Sequence, residues 1–388
     1  MKPLFLNGPV QNGPFTFVSH PGKSVGIRLA AALNAVLGQP PVPHLWNTAT
    51  LAGDLRYRAA NGPRVSRRRF DADLIERKYA PLQSPAGGIM TDTDSEVADL
   101  ALEMVEHNLR TGFLAISRET VRTCRRCGHM TGDGGHPCNA CGSTDIQDRT
   151  GLHLVARPAT NRPVLDRSDI HASHRQQPRH LQHTAGSVDR PVILSRTRDH
   201  GIQLAPLGLD RLVLDPRVGV HVTVLAAARR HRADLAVMTI TQNAANHVAA
   251  HGQHFREHDG IRLKYALHGH LPFDDRASLE PLHAAYRVTQ TIKDDFEKWF
   301  LPLFSLRAKT ATKPDQLVAL FKHYMRAYLA QPAEVNEAVM NDVRRRVSIG
   351  DTDWITNRQS LANVIAARSE PVMQPTPPTY HDGPRLEQ

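Results

Sequence analysis

The four cysteines of this chain fall as two tight pairs, Cys124-Arg125-Arg126-Cys127 and Cys138-Asn139-Ala140-Cys141, each followed directly by a glycine, Gly128 and Gly142. A Cys-x-x-Cys turn points two thiols to one side, and the glycine lets backbone amides face the sulfurs. Two such knuckles complete a tetrahedral zinc site. Disulfides suit an oxidising compartment, and a redox dithiol needs one pair and no second knuckle. The spacing predicts a structural zinc ion on Cys124, Cys127, Cys138 and Cys141, a local staple over residues 124–141. It disfavours catalytic zinc, because four thiolates leave no open coordination position.

Around this staple the chain has room for two or three packed units, with 388 residues of which 40% are hydrophobic. No apolar run approaches the roughly 20 residues of a membrane span. The start, Met1 to Val10, is too short and turn-rich for a secretory signal, so the expectation is a cytoplasmic protein with no membrane partner. The net charge of +10 suits nucleotides or RNA, since guanidinium groups pair with phosphate oxygens. An arginine- and alanine-rich coding bias would give the same composition.

Pro3-Leu4-Phe5-Leu6 is a short buried-strand candidate, followed by the turn-rich Asn7 to Pro14. Val25 to Leu37 is rich in helix formers and is stopped by Gly38, Pro40 and Pro41. Strand, glycine-bearing loop and helix in that order form the first unit of a parallel nucleotide-binding sheet, with ligand phosphates at the helix N-terminus. A helix is predicted from Asp94 to Leu109, closed by Gly112. Residues 155–190 show no periodicity and read as a surface insertion or mobile connector. Strand candidates Val192 to Leu194 and Leu235 to Ile240 bracket a helix candidate around His221 to Arg232, again strand, helix, strand. From Leu279 to about Arg368 the pattern is helical, and Ser369 to Gln388 reads as a disordered tail.

A zinc knuckle between two halves of a nucleotide-binding domain, followed by a helical region, resembles the catalytic core of the methionyl-tRNA synthetases, class I aminoacyl-tRNA synthetases. Three local matches carry the resemblance in the right order over residues 1 to about 275. Asn12-Gly13-Pro14 is similar to the Asn-Gly-Pro that precedes the family's HIGH signature. Ser195-Arg196-Thr197-Arg198-Asp199-His200-Gly201 is similar to the segment that re-enters the catalytic domain after the knuckle, with one extra residue and His200 in place of tryptophan. His268-Gly269-His270-Leu271, after a strand candidate at Leu263 to Leu267, is similar to the His-Gly-His-Leu that ends a late strand of the family's sheet.

The resemblance implies an α/β fold: a Rossmann-like parallel-sheet class I synthetase catalytic domain, an inserted zinc-knuckle module and an α-helical C-terminal domain. The implied division is residues 1–90 and 191–275 for the two catalytic halves, 91–190 for the inserted connective region, 276–368 for the helical domain and 369–388 for the tail. It implies ATP and Mg2+ beside the zinc. His20 and Lys23 take the catalytic positions, and Asn12, Gly13, Gly22, Lys23, Ser24, His268, Gly269 and His270 bind the nucleotide.

The family's two ATP signatures are rewritten here. Thr16-Phe17-Val18-Ser19 or, with a short insertion, His20-Pro21-Gly22-Lys23 stands at the HIGH position. Phe17 stands where a P-loop would need its first glycine. Where Lys-Met-Ser-Lys-Ser should follow, the chain reads Pro272-Phe273-Asp274-Asp275-Arg276. The two aspartates either bridge magnesium to phosphate or cap the next helix. Lys309-Thr310-Ala311-Thr312-Lys313 has the flavour of the missing loop but lies beyond a helix and reads as a solvated turn. His247, His251, His254 and His258 would share one face of a continuous helix, as a polar pocket wall or a metal site.

The implied activity is formation of an aminoacyl-adenylate from an amino-acid substrate and ATP, with transfer to a small-molecule amino acid in specialised metabolism. In that case the chain is a ligase of the hydrazine-type synthetase kind, with a cupin-domain protein as partner. The alternatives are charging of tRNA and a non-catalytic RNA- or protein-binding paralogue.

Overall fold

The computed structural model describes residues 3–9, 25–47, 87–131, 137–138, 141–157, 165–172, 191–197, 201–271, 277–308 and 312–368. A run such as Pro3-Leu4-Phe5-Leu6 has no polar face to give to water, so it needs cover on both sides, the situation of a central parallel strand. That is how β1, Pro3–Asn7, sits: every residue is buried. Alternate side chains feed two different cores, Leu4 and Leu6 one, Phe5 the other.

Helix α1, Val25–Val36, packs on the Phe5 side, and its buried Asn34 pins it to the strand. The Asn34 amide accepts from Phe5 N–H at 2.9 Å and donates to Phe5 O at 2.7 Å. Strands β2, His44–Trp46, and β3, Ile89–Thr91, pair in parallel. The Asn7 side chain stitches them to β1, accepting from Leu45 N–H and donating to Leu45 O. Helix α2, Ser95–Arg110, follows, with Asp94 at its start.

Two 11-residue strands, β4, Leu114–Cys124, and β5, Ile146–Ala156, form a long antiparallel ladder from Leu114↔Ala156 to Cys124↔Ile146. Strand β6, Ile170–Ala172, then joins the main sheet beside β12, so part of the stretch that looks like a connector in sequence is a sheet edge. Its residues are too few to show a period, and the pairing comes from the slot beside the Tyr265–Ala266 bulge. Strand β7, Val192–Ile193, pairs with β5 and not with the parallel sheet, so the expected strand, helix, strand unit has a different first strand. Strands β8, Ser195–Arg196, and β9, Val213–Leu214, pair with each other.

Helix α3, Pro216–Arg230, begins five residues before the candidate at His221, because Asp215 caps it and Pro216 suits the first turn. Val218 to Ala228 are all buried, which makes it a core helix covered on every side. It covers the sheet face that carries Leu4, Leu6, Ala236 and Met238. Strand β10, Leu235–Thr241, pairs in parallel with β1 on one side and β12 on the other. Between β10 and β12, Ile261–His268, come α4, Gln242–His251, and the short β11, Glu257–His258. In this sheet β1 pairs with β10 and β10 with β12, and in open α/β sheets ligands bind outside the carboxyl ends of the strands.

The chain then turns helical, through α5, Glu280–Ala285, α6, Gln290–Asp295, a wide turn over Phe296–Phe300 and α7, Leu301–Ser305. Three longer helices close it: α8, Pro314–Tyr328, α9, Glu337–Ser348, and α10, Arg358–Arg368. Phe296, Phe300, Phe321, Tyr324 and Trp354 form their aromatic centre, continuous with the α1 side of the sheet. Among the described residues no helix is long and apolar enough to cross a membrane.

Candidate functional site

The cysteine pairs meet at the tip of the β4–β5 ladder. Cys124 ends β4, and Gly128 and Gly142 take left-handed φ values of 71° and 72°, so each knuckle folds back on itself. The sulfurs of Cys124 and Cys141 stand 3.5 Å apart, and those of Cys127 and Cys138 3.6 Å. All four lie within 4.8 Å of one another. A tetrahedron with metal–sulfur bonds of about 2.3 Å has sulfur–sulfur edges of about 3.8 Å, so the donor set fits zinc. Burial works to raise the Cys124 thiol, but the Cys127 backbone N–H, the Cys141 sulfur and the Arg126 backbone N–H bring it down to about 7. Burial and the sulfurs of Cys141 and Cys138 push Cys127 up. A cation would relieve this crowding.

The second site is the carboxyl edge of the parallel sheet, where two helix starts arrive on opposite faces. On the α1 face the Gly8 N–H donates to Thr239 O at 2.8 Å, and the Thr239 hydroxyl donates to Gly26 O at 2.8 Å. A Cβ on Gly8 would lie 2.8 Å from Thr239 O. One on Gly26 would lie 3.3 Å from the Thr239 hydroxyl and 3.6 Å from His268 Nε2. Glycine at 26 lets α1 approach the ends of β10 and β12, and glycine at 8 lets the chain leaving β1 lie against β10. His268 ends β12, and burial holds its pKa down at about 4. Its Nδ1–H donates to Gly269 O at 3.1 Å, which makes Nε2 an uncharged acceptor facing Gly26.

The helical region braces this edge. Gly269 N–H donates to Ser305 O, Thr312 N–H to His270 O, and the Gln242 amide to Ala308 O. Thr312 and Lys313, remote from His270 in sequence, therefore begin α8 beside it; Lys309 to Ala311 lie outside the described residues.

On the other face the start of α3 carries charge. Asp215 is fully buried, and it accepts from Arg217 Nε at 2.8 Å and Nη2 at 2.8 Å, from the Arg217 backbone N–H and from Arg196 Nε at 2.5 Å. Burial opposes ionisation of Asp215, but the guanidinium groups of Arg217 and Arg196 overcome it and hold the carboxyl well below its usual range. His251 is buried near the same charges, its pKa drawn down to about 4 chiefly by burial. Behind Arg217, whose carbonyl accepts from His221 Nδ1–H, the Tyr265 hydroxyl donates to His221 Nε2 at 2.7 Å. Burial holds His221 at about 3. The first turn of α3 meets the ends of β2 and β3: Asn47 donates to Pro216 O, and a Cβ on Gly219 would lie 3.4 Å from Asp92 Oδ2.

The histidine row is not one helix face. The α4 helix carries His247 and His251 and stops at Gly252, so the next histidines leave its axis. His254 stacks on Phe113, and His258 lies in β11 beside Glu103 and Asp259.

No family model matches this sequence, and no curated protein does. Solved structures do. Mycobacterium tuberculosis methionyl-tRNA synthetase in complex with methionyl-adenylate aligns over 94% of this chain and 82% of its own, with a TM-score of 0.54 at 16% identity. A second structure of the enzyme from that organism, bound by methionyl-adenylate, covers 93% of this chain and 81% of its own, with a TM-score of 0.50 at 14% identity. The fold is that of a methionyl-tRNA synthetase core.

Within this synthetase-like fold, His268, Gly269 and His270 stand at the carboxyl edge and the four cysteines come together. Asn12, Gly13, His20, Gly22, Lys23, Ser24, Asp274 and Asp275 lie outside the described residues. Of the cluster of Arg196, Asp215, Arg217 and His251, the sequence singles out Arg196 within the Ser195–Gly201 segment and His251 within the histidine row, but not Asp215 or Arg217 and not the grouping. The signal that could have found Asp215 is Asp215-Pro216, an N-cap followed by a first-turn proline.

Proposed function

We propose that this chain is an ATP-dependent ligase that activates an amino-acid carboxylate as an aminoacyl-adenylate and passes the acyl group to an acceptor. The observation that carries this reading is the carboxyl edge of a synthetase-like sheet. There Gly26 lets the start of α1 close onto the ends of β10 and β12, beside the uncharged His268, and Gly8 lets the chain leaving β1 lie against β10. Attack of a carboxylate on the α-phosphate needs positioning and charge stabilisation more than covalent catalysis, and a helix N-terminus supplies both. Gly22, Ser24, Asn12 and Gly13 would bind the nucleotide, with His20 and Lys23 in the catalytic roles. Asp274 or Asp275 would hold magnesium, which would supply positive charge to the phosphates. Zinc on Cys124, Cys127, Cys138 and Cys141 would serve as the staple of the β4–β5 tip.

Methionyl-adenylate is what the matched mycobacterial enzyme holds. For this chain the acceptor we favour is a small amino acid, as in a hydrazine-type synthetase, because both ATP signatures of the tRNA-charging family are rewritten. The test is amino-acid-dependent exchange of pyrophosphate into ATP across all proteinogenic amino acids, followed by acceptor dependence. Exchange with one amino acid and product only with a small-molecule acceptor is the expected result. Product only with tRNA replaces the acceptor, and absence of exchange with every amino acid removes the ligase reading.

A further inference from the structure

The two arginines at the start of α3 do more than the fold requires. Asp215 needs one guanidinium to be neutralised, and Arg217 already gives it two side-chain hydrogen bonds and a backbone one. Arg196 arrives from a separate strand and leaves the cluster with a charge of +1, next to a histidine that burial keeps neutral. Among the described residues Asp215 is the one carboxylate bonded to either guanidinium. Among the described residues Arg196 spends only Nε, and Arg217 only Nε and Nη2, which leaves both Nη groups of Arg196 and the Nη1 of Arg217 for another partner. Asp215 is 0% exposed, whereas the Arg196 and Arg217 side chains are 20% and 30% exposed. The buried carboxylate thus anchors two guanidinium groups on side chains that are partly open to solvent. An excess positive charge half out of water is a receptor for a planar anion, because guanidinium forks match carboxylate geometry.

Position decides which anion. The α1 start, on the opposite face of the sheet, is where the phosphates are proposed to lie, whereas the arginine pair sits where α3 meets the ends of β2 and β3. We propose that Arg196 and Arg217 bind the side-chain carboxylate of the amino acid this chain activates, so that its substrate is an acidic amino acid. This deepens the ligase reading and rests on it for placing the amino acid at the carboxyl edge.

The test is calorimetric titration of the zinc-loaded full chain with L-aspartate, L-glutamate, L-asparagine, L-glutamine, L-methionine and, separately, ATP. One acid should bind roughly tenfold or more tightly than its own amide, the value of a hydrogen-bonded charge pair. Arg196→Gln and Arg217→Gln should each bring that acid-to-amide ratio toward one while leaving ATP affinity unchanged. Arg196→Lys, which keeps the charge and loses the fork, should fall between. Equal binding of acid and amide by the unmodified protein overturns the proposal and needs no variant, so a variant that misfolds does not protect it. Variants that weaken ATP instead assign the pair to phosphate and overturn it equally. Acid-selective binding without pyrophosphate exchange removes the ligase reading and leaves this one, whereas exchange with unselective binding does the reverse.

Discussion

The two helix starts at the carboxyl edge solve the same steric problem in opposite ways. The α1 start has no acidic residue in its first turn and meets the strand ends through glycines, backbone carbonyls and the neutral His268. The α3 start is capped by a buried carboxylate that gathers two cations. The first sets no acidic side chain of its own first turn against the helix's positive end, while the second cancels that end with Asp215 and puts side-chain charge in its place. A helix N-terminus is a weak, non-specific anion site; a pair of anchored forks selects shape as well as charge.

The largest contrast should come from removing each face's anchor. Asp215→Asn leaves two arginines without a countercharge and should cost about 3–5 kcal/mol in urea unfolding, the range for breaking a buried pair. Asn34→Ala, which strips Phe5 of two hydrogen bonds on the α1 face, should cost about 1–3 kcal/mol by the same measurement. A smaller loss from Asp215→Asn than from Asn34→Ala would reverse the comparison.

Protonation sharpens it next. His268, His251 and His221 have folded pKa values of about 4, 4 and 3, below the unfolded value near 6.5. Between these limits the unfolded chain binds more protons, so stability is full above about pH 6.5 and falls as the solution is acidified. The slope should reach about 1.4 kcal/mol per pH unit for each histidine. His268→Asn should remove one such share between pH 6 and 4.5, and an unaltered slope would mean the ring is not buried in its neutral form. Asp215, with its pKa depressed, keeps contributing through that window, and its share is lost only at lower pH.

The smallest effect tests whether the knuckle and the charged face communicate. Met130 N–H, just past the first cysteine pair, donates to the Thr197 hydroxyl at 2.8 Å, and Thr197 adjoins Arg196. Thr197→Val should cost about 1 kcal/mol in unfolding and leave zinc content unchanged. Cys138→Ser should lower zinc content sharply, and circular dichroism should retain the helical signal of the sheet and its helices.

What is readable in the sequence is local. The cysteine pairs are a spacing of three residues, β1 and β10 are largely apolar runs, and β12 alternates before its apolar end, so period and composition suffice. Val192–Ile193 and Ile170–Ala172 are too short to carry a period, and their partners were fixed by which edges stood open. The row from His247 to His258 obeyed helical spacing in sequence, yet Gly252 ended the helix at its second member. Arg196, Asp215, Arg217 and His251 come from three elements and share no interval, so the Ser195–Gly201 segment and the histidine row each touch one member, and nothing in the sequence joins them. The rewritten ATP signatures pointed attention at the α1 loop, while the charge gathered on the opposite face.

The pairing of β1 with β10 also sets a clock for synthesis. Pro3 pairs with Leu235 and Asn7 with Thr239, so β1 leaves the ribosome 232 residues ahead of the strand it pairs with. At about 5–20 residues per second that wait is roughly 10–50 seconds, during which Leu4, Phe5 and Leu6 have no sheet to enter. The nascent chain must shelter β1, and a ribosome stalled before Leu235 would present that apolar segment to whatever chaperone binds it.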